Sequence, residues 1–176
     1  GYALFKTMKE QIGNKPVIAE DLGFLTPSVI RLVKKTGYPG MKILQFAFDS
    51  REESDYLPHN YTANSVVYTG THDNDTTLNW YHTIPVRDRR FAKKYLNIKG
   101  NKKVTWEFIR AAIASVSDTA IIPMQDYLEL GSEARINTPS TLGDNWKWRM
   151  SAEQLSPELA EEILELCKLY GRVREK

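Results

Sequence analysis

The stretch that most limits how this chain folds is Val66-Val67-Tyr68-Thr69-Gly70-Thr71-His72-Asp73-Asn74-Asp75. An apolar run stops abruptly at a knot of His, Asp, Asn and Asp. A strand buried on both faces reads this way when its carboxyl end delivers polar side chains into a site. Pro16-Val17-Ile18-Ala19-Glu20-Asp21-Leu22-Gly23 has the same grammar and again ends in adjacent carboxylates. Two strands presenting acids at one end point to paired-carboxylate chemistry.

Local signals place the elements around these stretches. Leu4, Phe5, Met8 and Ile12 recur at helical spacing, so Tyr2–Ile12 reads as a helix, and Asn14-Lys15-Pro16 breaks it. Pro16–Leu22 is the first expected strand. Thr26-Pro27 is an N-cap followed by proline at the first helical position, Val29, Ile30 and Val33 are expected to face a core, and Gly37 ends that helix. Met41–Phe48 is the second strand. Asp49–Asn64 is a long polar loop, and long loops in compact domains are commonly functional. Ser65–Thr69 is the third strand.

A basic helix follows near Arg87–Leu96, then a polar link over Asn97–Lys103. Trp106, Ile109, Ile113 and Val116 mark another helix, and Ala120–Asp126 is the fourth strand, also ending in a carboxylate. A loop carrying Asn137, Trp146, Trp148 and Arg149 leads to the last helix. Ser156 caps it, Pro157 starts it, Leu155, Leu159, Ile163, Leu166 and Tyr170 line one side, and Gly171 ends it.

The order is a helix followed by four strand–helix units, which implies parallel strands joined by right-handed crossovers. An eight-fold barrel typically takes ~250 residues. Four units make half of one, and the alternative is an open sheet. A half-barrel alone leaves two open strand edges. The sequence opens without Met inside an expected helix, which reads as a fragment, and residues 1–176 read as a single domain.

The 176 residues carry a formal net charge of +2, with basic and acidic residues interspersed. That leaves no electrostatic footprint for nucleic acid or an anionic membrane surface. No apolar run is long enough to span a bilayer. A single cysteine, Cys167, argues against a disulfide framework and fits a reducing compartment, so a cytoplasmic location is expected. Asn60-Tyr61-Thr62 and Asn74-Asp75-Thr76 match the glycosylation sequon by chance.

Glycosidic chemistry needs one carboxyl group held as a general acid and others held ionised against positive charge on the sugar. Glu20 follows Val17-Ile18-Ala19, so its stem is expected in an apolar wall. Asp73 is flanked by His72 and Asn74, which can donate hydrogen bonds and keep it charged. Such acids also serve merely as helix caps or ion-pair partners, and His72, Asp73 and Asp75 together are a possible metal set. No Cys or second His lies at ligand spacing. Trp146 and Trp148 read by default as core, although flat apolar faces also suit sugar rings. Asn137 and Arg149 read as loop scaffolding.

Ile18-Ala19-Glu20-Asp21-Leu22-Gly23, Gly40–Phe48, Leu57-Pro58-His59-Asn60-Tyr61 and Tyr68–Thr76 resemble the amylomaltase family of 4-alpha-glucanotransferases, the disproportionating enzymes. Gln125-Asp126, Ala134-Arg135, Asn137-Thr138-Pro139 and Asn145–Arg149 continue the match over nearly the whole chain. The resemblance implies the C-terminal half of a (β/α)8 TIM barrel and retaining transfer of alpha-1,4-glucan segments between maltooligosaccharides. It implies no cofactor and no metal, and a plastid location if the source is a plant.

By that resemblance Glu20 is the general acid/base and Asp73 the carboxylate that stabilises the transition state. His72 contacts the transferred sugar, and Asn74, Phe46 and Asn137 complete the glucan-binding positions. The family's nucleophilic Asp lies upstream of this sequence. Asp88 is no substitute, because it falls in a helix. The segment alone is therefore expected to be inactive. Ile136 and Ser140 stand where the family usually has Met and Gly. The competing reading is a non-catalytic carbohydrate-binding or structural half-barrel that assembles with its missing half, or with itself, through open strand edges. A metal-dependent hydrolase is the weaker alternative.

Overall fold

The computed structural model describes every residue except 24, 101, 102 and 174–176, so part of the expected 97–103 link lies outside the described residues. Three short parallel strands form its sheet in the order β1 (Gly40–Ile43), β2 (Ser65–Tyr68), β3 (Thr119–Ile121). Met41 pairs with Val66, and Val66 with Thr119. β2 is the middle strand, and Ser65, Val66 and Val67 are buried in it, as a continuous apolar run requires.

The first expected strand is not formed. Residues Pro16–Leu22 contribute one parallel bridge, Ala19 beside Gly40, with Ala19 N donating to Pro39 O at 2.9 Å. The ladder stops there for a specific reason. The next donor on β1, Met41 N, is taken by the Asp21 carboxylate at 2.7 Å, and Asp21 N turns back to Ala19 O at 3.0 Å. Gly40 makes room for that carboxylate, because a Cβ there would sit 2.3 Å from Asp21 Oδ2. The four-strand expectation thus becomes three strands and a tethered segment, still parallel.

The other three strands are shorter than expected, β2 by a single residue. β1 ends at Ile43, where Leu44–Phe46 winds into a turn of 3₁₀ helix. β3 ends before Pro123, whose missing N–H opens a single helical turn, α6 (Met124–Tyr127), instead of extending the ladder.

The remaining helices are α1 (Tyr2–Ile12), α2 (Pro27–Thr36), α3 (Thr77–Thr83), α4 (Val86–Tyr95), α5 (Val104–Ala114) and α7 (Pro157–Leu169). The α2 caps follow the sequence signals: Thr26 Oγ1 accepts from Val29 N at 3.4 Å, and Gly37 adopts φ 73°. Its expected core face is not covered. Val29 and Ile30 are exposed, and Thr36 is the buried residue of that helix. Val116, Leu155 and Tyr170 are likewise exposed and lie outside α5 and α7.

The main core lies between the sheet and α3–α5. Phe108 is fully buried, with the rings of Phe48 and Trp80 both 5.6 Å away and edge-on. Burying a side chain of this kind contributes roughly 1.5–3 kcal/mol. Leu57 and Tyr61 from the long loop enter the same core, so that loop is anchored at its far end. A second cluster joins α5 to α7 through Trp106, Ile109, Ile113 and Leu166. Arg172 closes the joint. Its guanidinium donates to the carbonyls of Ile113 and Ser115 at the end of α5, both at 2.9 Å, and to that of Ser117 in the following turn at 2.6 Å.

Candidate active site

The chain segments that leave the carboxyl ends of the strands meet in one cleft of about 250 Å³. Glu20, Met41, Phe46, His72, Asp73 and Asn74 line it. Glu20 also borders the adjoining hollow with Ile18, Tyr68, Ile121 and Ile136. The apolar wall expected beside Glu20 is therefore present, although the residue itself is exposed. The Tyr68 phenol is raised above its ordinary pKa, first by burial and then by the negative charge of Glu20.

The tether described above explains the adjacent carboxylates at 20 and 21. Asp21 is used inward, against β1, and Glu20 is left to the cleft.

Asp73 is held from two directions. Asn137 Nδ2 donates to Asp73 Oδ1 at 2.6 Å, and His72 Nε2 lies 3.3 Å from the same oxygen. Asn74 does not fill the donor role expected of it. Its Oδ1 accepts from Thr71 N and Thr71 Oγ1, both at 2.8 Å, which closes the turn on which Asp73 sits. The amide donor comes instead from Asn137, on a loop that reads in sequence as scaffolding. Asn137 N also donates to His72 O at 3.1 Å, so the two loops are joined through main chain as well as side chain.

Trp146 is not core. It is 56% exposed, and its ring lies 5.0 Å from the His72 ring at an angle of 38°. Its backbone sits at φ 65°, held by Trp146 N donating to Ile136 O at 2.7 Å. Arg149 does act as scaffolding, donating to the carbonyls of Trp146 and Trp148 at 2.9 and 2.7 Å. Phe46 is 42% exposed at the cleft and packs edge-on against Tyr56 at 5.5 Å.

Beneath the cleft lies a buried polar network with no local sequence signature. Asp126, expected at the end of the fourth strand, lies in α6 and points inward. Its carboxylate accepts from Thr77 N at 2.8 Å, from Thr77 Oγ1 at 2.7 Å and from Thr69 Oγ1. Burial raises its carboxyl above the usual range, against the opposing pull of those hydrogen bonds. Gln45 Nε2 donates to Thr77 Oγ1 at 3.2 Å and to Asp75 O at 2.9 Å. A Cβ at residue 70 would lie 2.6 Å from that nitrogen, so glycine is needed where the backbone passes it. The network binds the end of β2, the start of α3 and α6 into one unit under Asp73.

Asp75 is held by Asn79 Nδ2 at 2.7 Å and Thr76 N at 2.8 Å, with Arg135 4.0 Å away. Among the described residues, no three His, Cys, Asp or Glu side chains are grouped to hold a metal ion, and no helix is long and apolar enough to cross a membrane.

Residues 1–155 match the family described as 4-alpha-glucanotransferase. The chain belongs to the 4-alpha-glucanotransferase family. It is 51% identical to the 4-alpha-glucanotransferase of Streptococcus pneumoniae, over 99% of this chain and 35% of that protein. It is 46% identical to the chloroplastic/amyloplastic 4-alpha-glucanotransferase of Arabidopsis thaliana, over 98% of this chain and 31% of that protein. Its fold superposes on the amylomaltase of Streptococcus agalactiae in complex with acarbose, with a TM-score of 0.92 and 40% identity, over 97% of this chain and 35% of that one. The chain thus spans about a third of the length of these 4-alpha-glucanotransferases, and its three parallel strands are an α/β portion of the amylomaltase fold.

Proposed function

We propose that this chain forms one domain, the C-terminal half of a (β/α)8 barrel, and contributes acid/base and stabilising groups to a retaining 4-alpha-glucanotransferase. The observation that carries this reading is the cleft itself. Glu20 lines it together with Asp73, which is held by His72 and Asn137.

In this reading Glu20 protonates the oxygen of the alpha-1,4 bond being broken. A carboxylate from outside this sequence attacks the anomeric carbon and forms a glycosyl-enzyme. Asp73, held in place by His72 and Asn137, opposes the positive charge that develops on the sugar. Glu20, now a base, takes the proton of an incoming glucan hydroxyl as the new bond forms and the carboxylate leaves. His72, Asn74, Phe46 and Asn137 hold the donor glucan, and the exposed ring of Trp146 extends the apolar surface on which a sugar can lie. The substrates are maltooligosaccharides and longer alpha-1,4-glucans.

The test is to incubate the full-length protein that carries this segment with maltotriose. Glucose and maltooligosaccharides longer than the substrate are expected. Glu20→Gln is expected to cut the rate by on the order of 10³-fold or more. Hydrolysis products alone, or full activity in Glu20→Gln, overturn the reading. The segment by itself is expected to be inactive, and glucose release from it that depends on Glu20 refutes that.

A second reading rests on the uncovered strand ends. Ile18 is exposed within the tethered segment and Ile121 on β3, where a non-catalytic half-barrel would pair with another chain. A concentration-dependent mass in sedimentation supports it, and a strictly monomeric segment removes it.

A further inference from the structure

Arg135 has no role in the reading above, yet it touches both halves of the bond that holds Asp73. Its Nε donates to the carbonyl of Asn137 at 2.9 Å, and a terminal nitrogen donates to the carbonyl of Asp73 at 2.8 Å. Asn137 and Asp73 are the two residues whose side chains meet at 2.6 Å. One planar group therefore fixes the main chain on each side of that contact. The guanidinium has a firm base. Arg135 N donates to Ser132 O at 3.0 Å, and the preceding carbonyl, Ala134 O, accepts from the buried Gln125 of α6 at 3.2 Å.

Rigid spacing is the property that matters. The donors of a guanidinium keep fixed directions in one plane, whereas a lysine ammonium is a single point on a flexible stem. Its side chain is 27% exposed, so water competes only partly for the two carbonyls. An arginine here sets where the Asn137 amide meets the Asp73 carboxylate, and a displacement of about 1 Å at such a contact costs roughly 10²-fold in rate.

We infer that Arg135 is a positioning residue for the Asp73 carboxylate, acting through Asn137. This rests on the role proposed above for Asp73. It assigns no contact with glucan to Arg135 itself.

The test is a double-mutant cycle of Arg135→Lys and Asn137→Ala in the full-length protein, read as transfer from maltotriose. Arg135→Lys is expected to lower kcat by roughly 10- to 100-fold with KM changed by less than about twofold. In the Asn137→Ala background the same change is expected to cost less than about twofold. Losses that multiply in the double variant, or an Arg135→Lys protein with full kcat, overturn the inference. If Arg135→Lys does not fold, the cycle is read with Arg135→Gln, which keeps one carbonyl contact.

A crystal structure of Arg135→Lys separates this inference from the functional reading. Loss of the hydrogen bond from Asn137 Nδ2 to Asp73 Oδ1 is expected. Its retention at the present 2.6 Å overturns the inference whatever the activity. Absence of transfer by the unmodified protein overturns the functional reading alone.

Discussion

Asn137 Nδ2 donates to Asp73 Oδ1 across 2.6 Å, although the residues are 64 positions apart in sequence. The contact joins the turn after β2 to the loop that follows α6. It fixes one oxygen of the Asp73 carboxylate where a neutral amide donor faces it.

Asp73→Asn tests the charge rather than the shape. The amide keeps the size of the side chain but cannot oppose the positive charge on the sugar. A loss in kcat on the order of 10²-fold or more is expected in the full-length protein, of the size seen when one stabilising group is removed from an active site. Initial rates of glucose release from maltotriose measure it, with circular dichroism to show that the fold is kept.

Asp126 should leave a pH signature in stability. Burial raises its carboxyl in the folded protein, so folding favours the protonated form. The stability this contributes is fully present below the unfolded aspartate value of ~3.9 and is lost as pH rises through the raised folded value. Denaturant unfolding of the unmodified protein, minus that of Asp126→Asn at each pH, is therefore expected to fall as pH rises above about 4 and to level off once pH has passed the raised folded value. A flat difference sinks the idea. Asp126→Ala, which strands the donors of Thr69 and Thr77, is expected to cost roughly 1–3 kcal/mol near pH 4 and less as pH rises.

Ser140 adopts φ 61°, in the left-handed region where glycine is favoured. Ser140→Gly is expected to stabilise the protein by up to about 1 kcal/mol, because relief of the Cβ clash outweighs the freedom that glycine adds to the unfolded chain. Thermal unfolding measures it, and a lower Tm contradicts the prediction.

Asp88 on α4 anchors the long loop. Its carboxylate accepts from Ser50 N at 3.0 Å and from Ser50 Oγ, and these bonds hold its pKa below the usual range. A carboxylate lowered in this way stabilises above its unfolded pKa, and the effect is lost as pH falls through the folded value. Asp88→Ala is expected to raise amide hydrogen exchange over residues 49–56 at neutral pH and to leave the core around Phe108 unchanged. Exchange unaltered in that loop removes the anchoring role.

The sequence by itself determined the alternation of helices and parallel strands, because periodicity, caps and apolar runs are local properties. Thr26, Gly37 and Ser156 cap α2 and α7 as their types require, and Val66-Val67 forms a buried central strand. It also singled out Glu20 and Asp73, since strand ends that turn suddenly polar are visible in one dimension, whereas the glucan-binding roles expected of His72 and Phe46 came only from the family resemblance; the four line one cleft. Tertiary structure alone decided the rest. Asp21 took the donor that a first strand would have used, and Asp126 turned inward to Thr69 and Thr77. Trp146 was left in solvent beside His72 instead of entering the core. Asn137 and Arg135 reached Asp73 across more than sixty residues. A hydrogen bond between distant residues leaves no periodic trace in the chain, so only the folded geometry reveals which amide and which guanidinium hold the carboxylate in place.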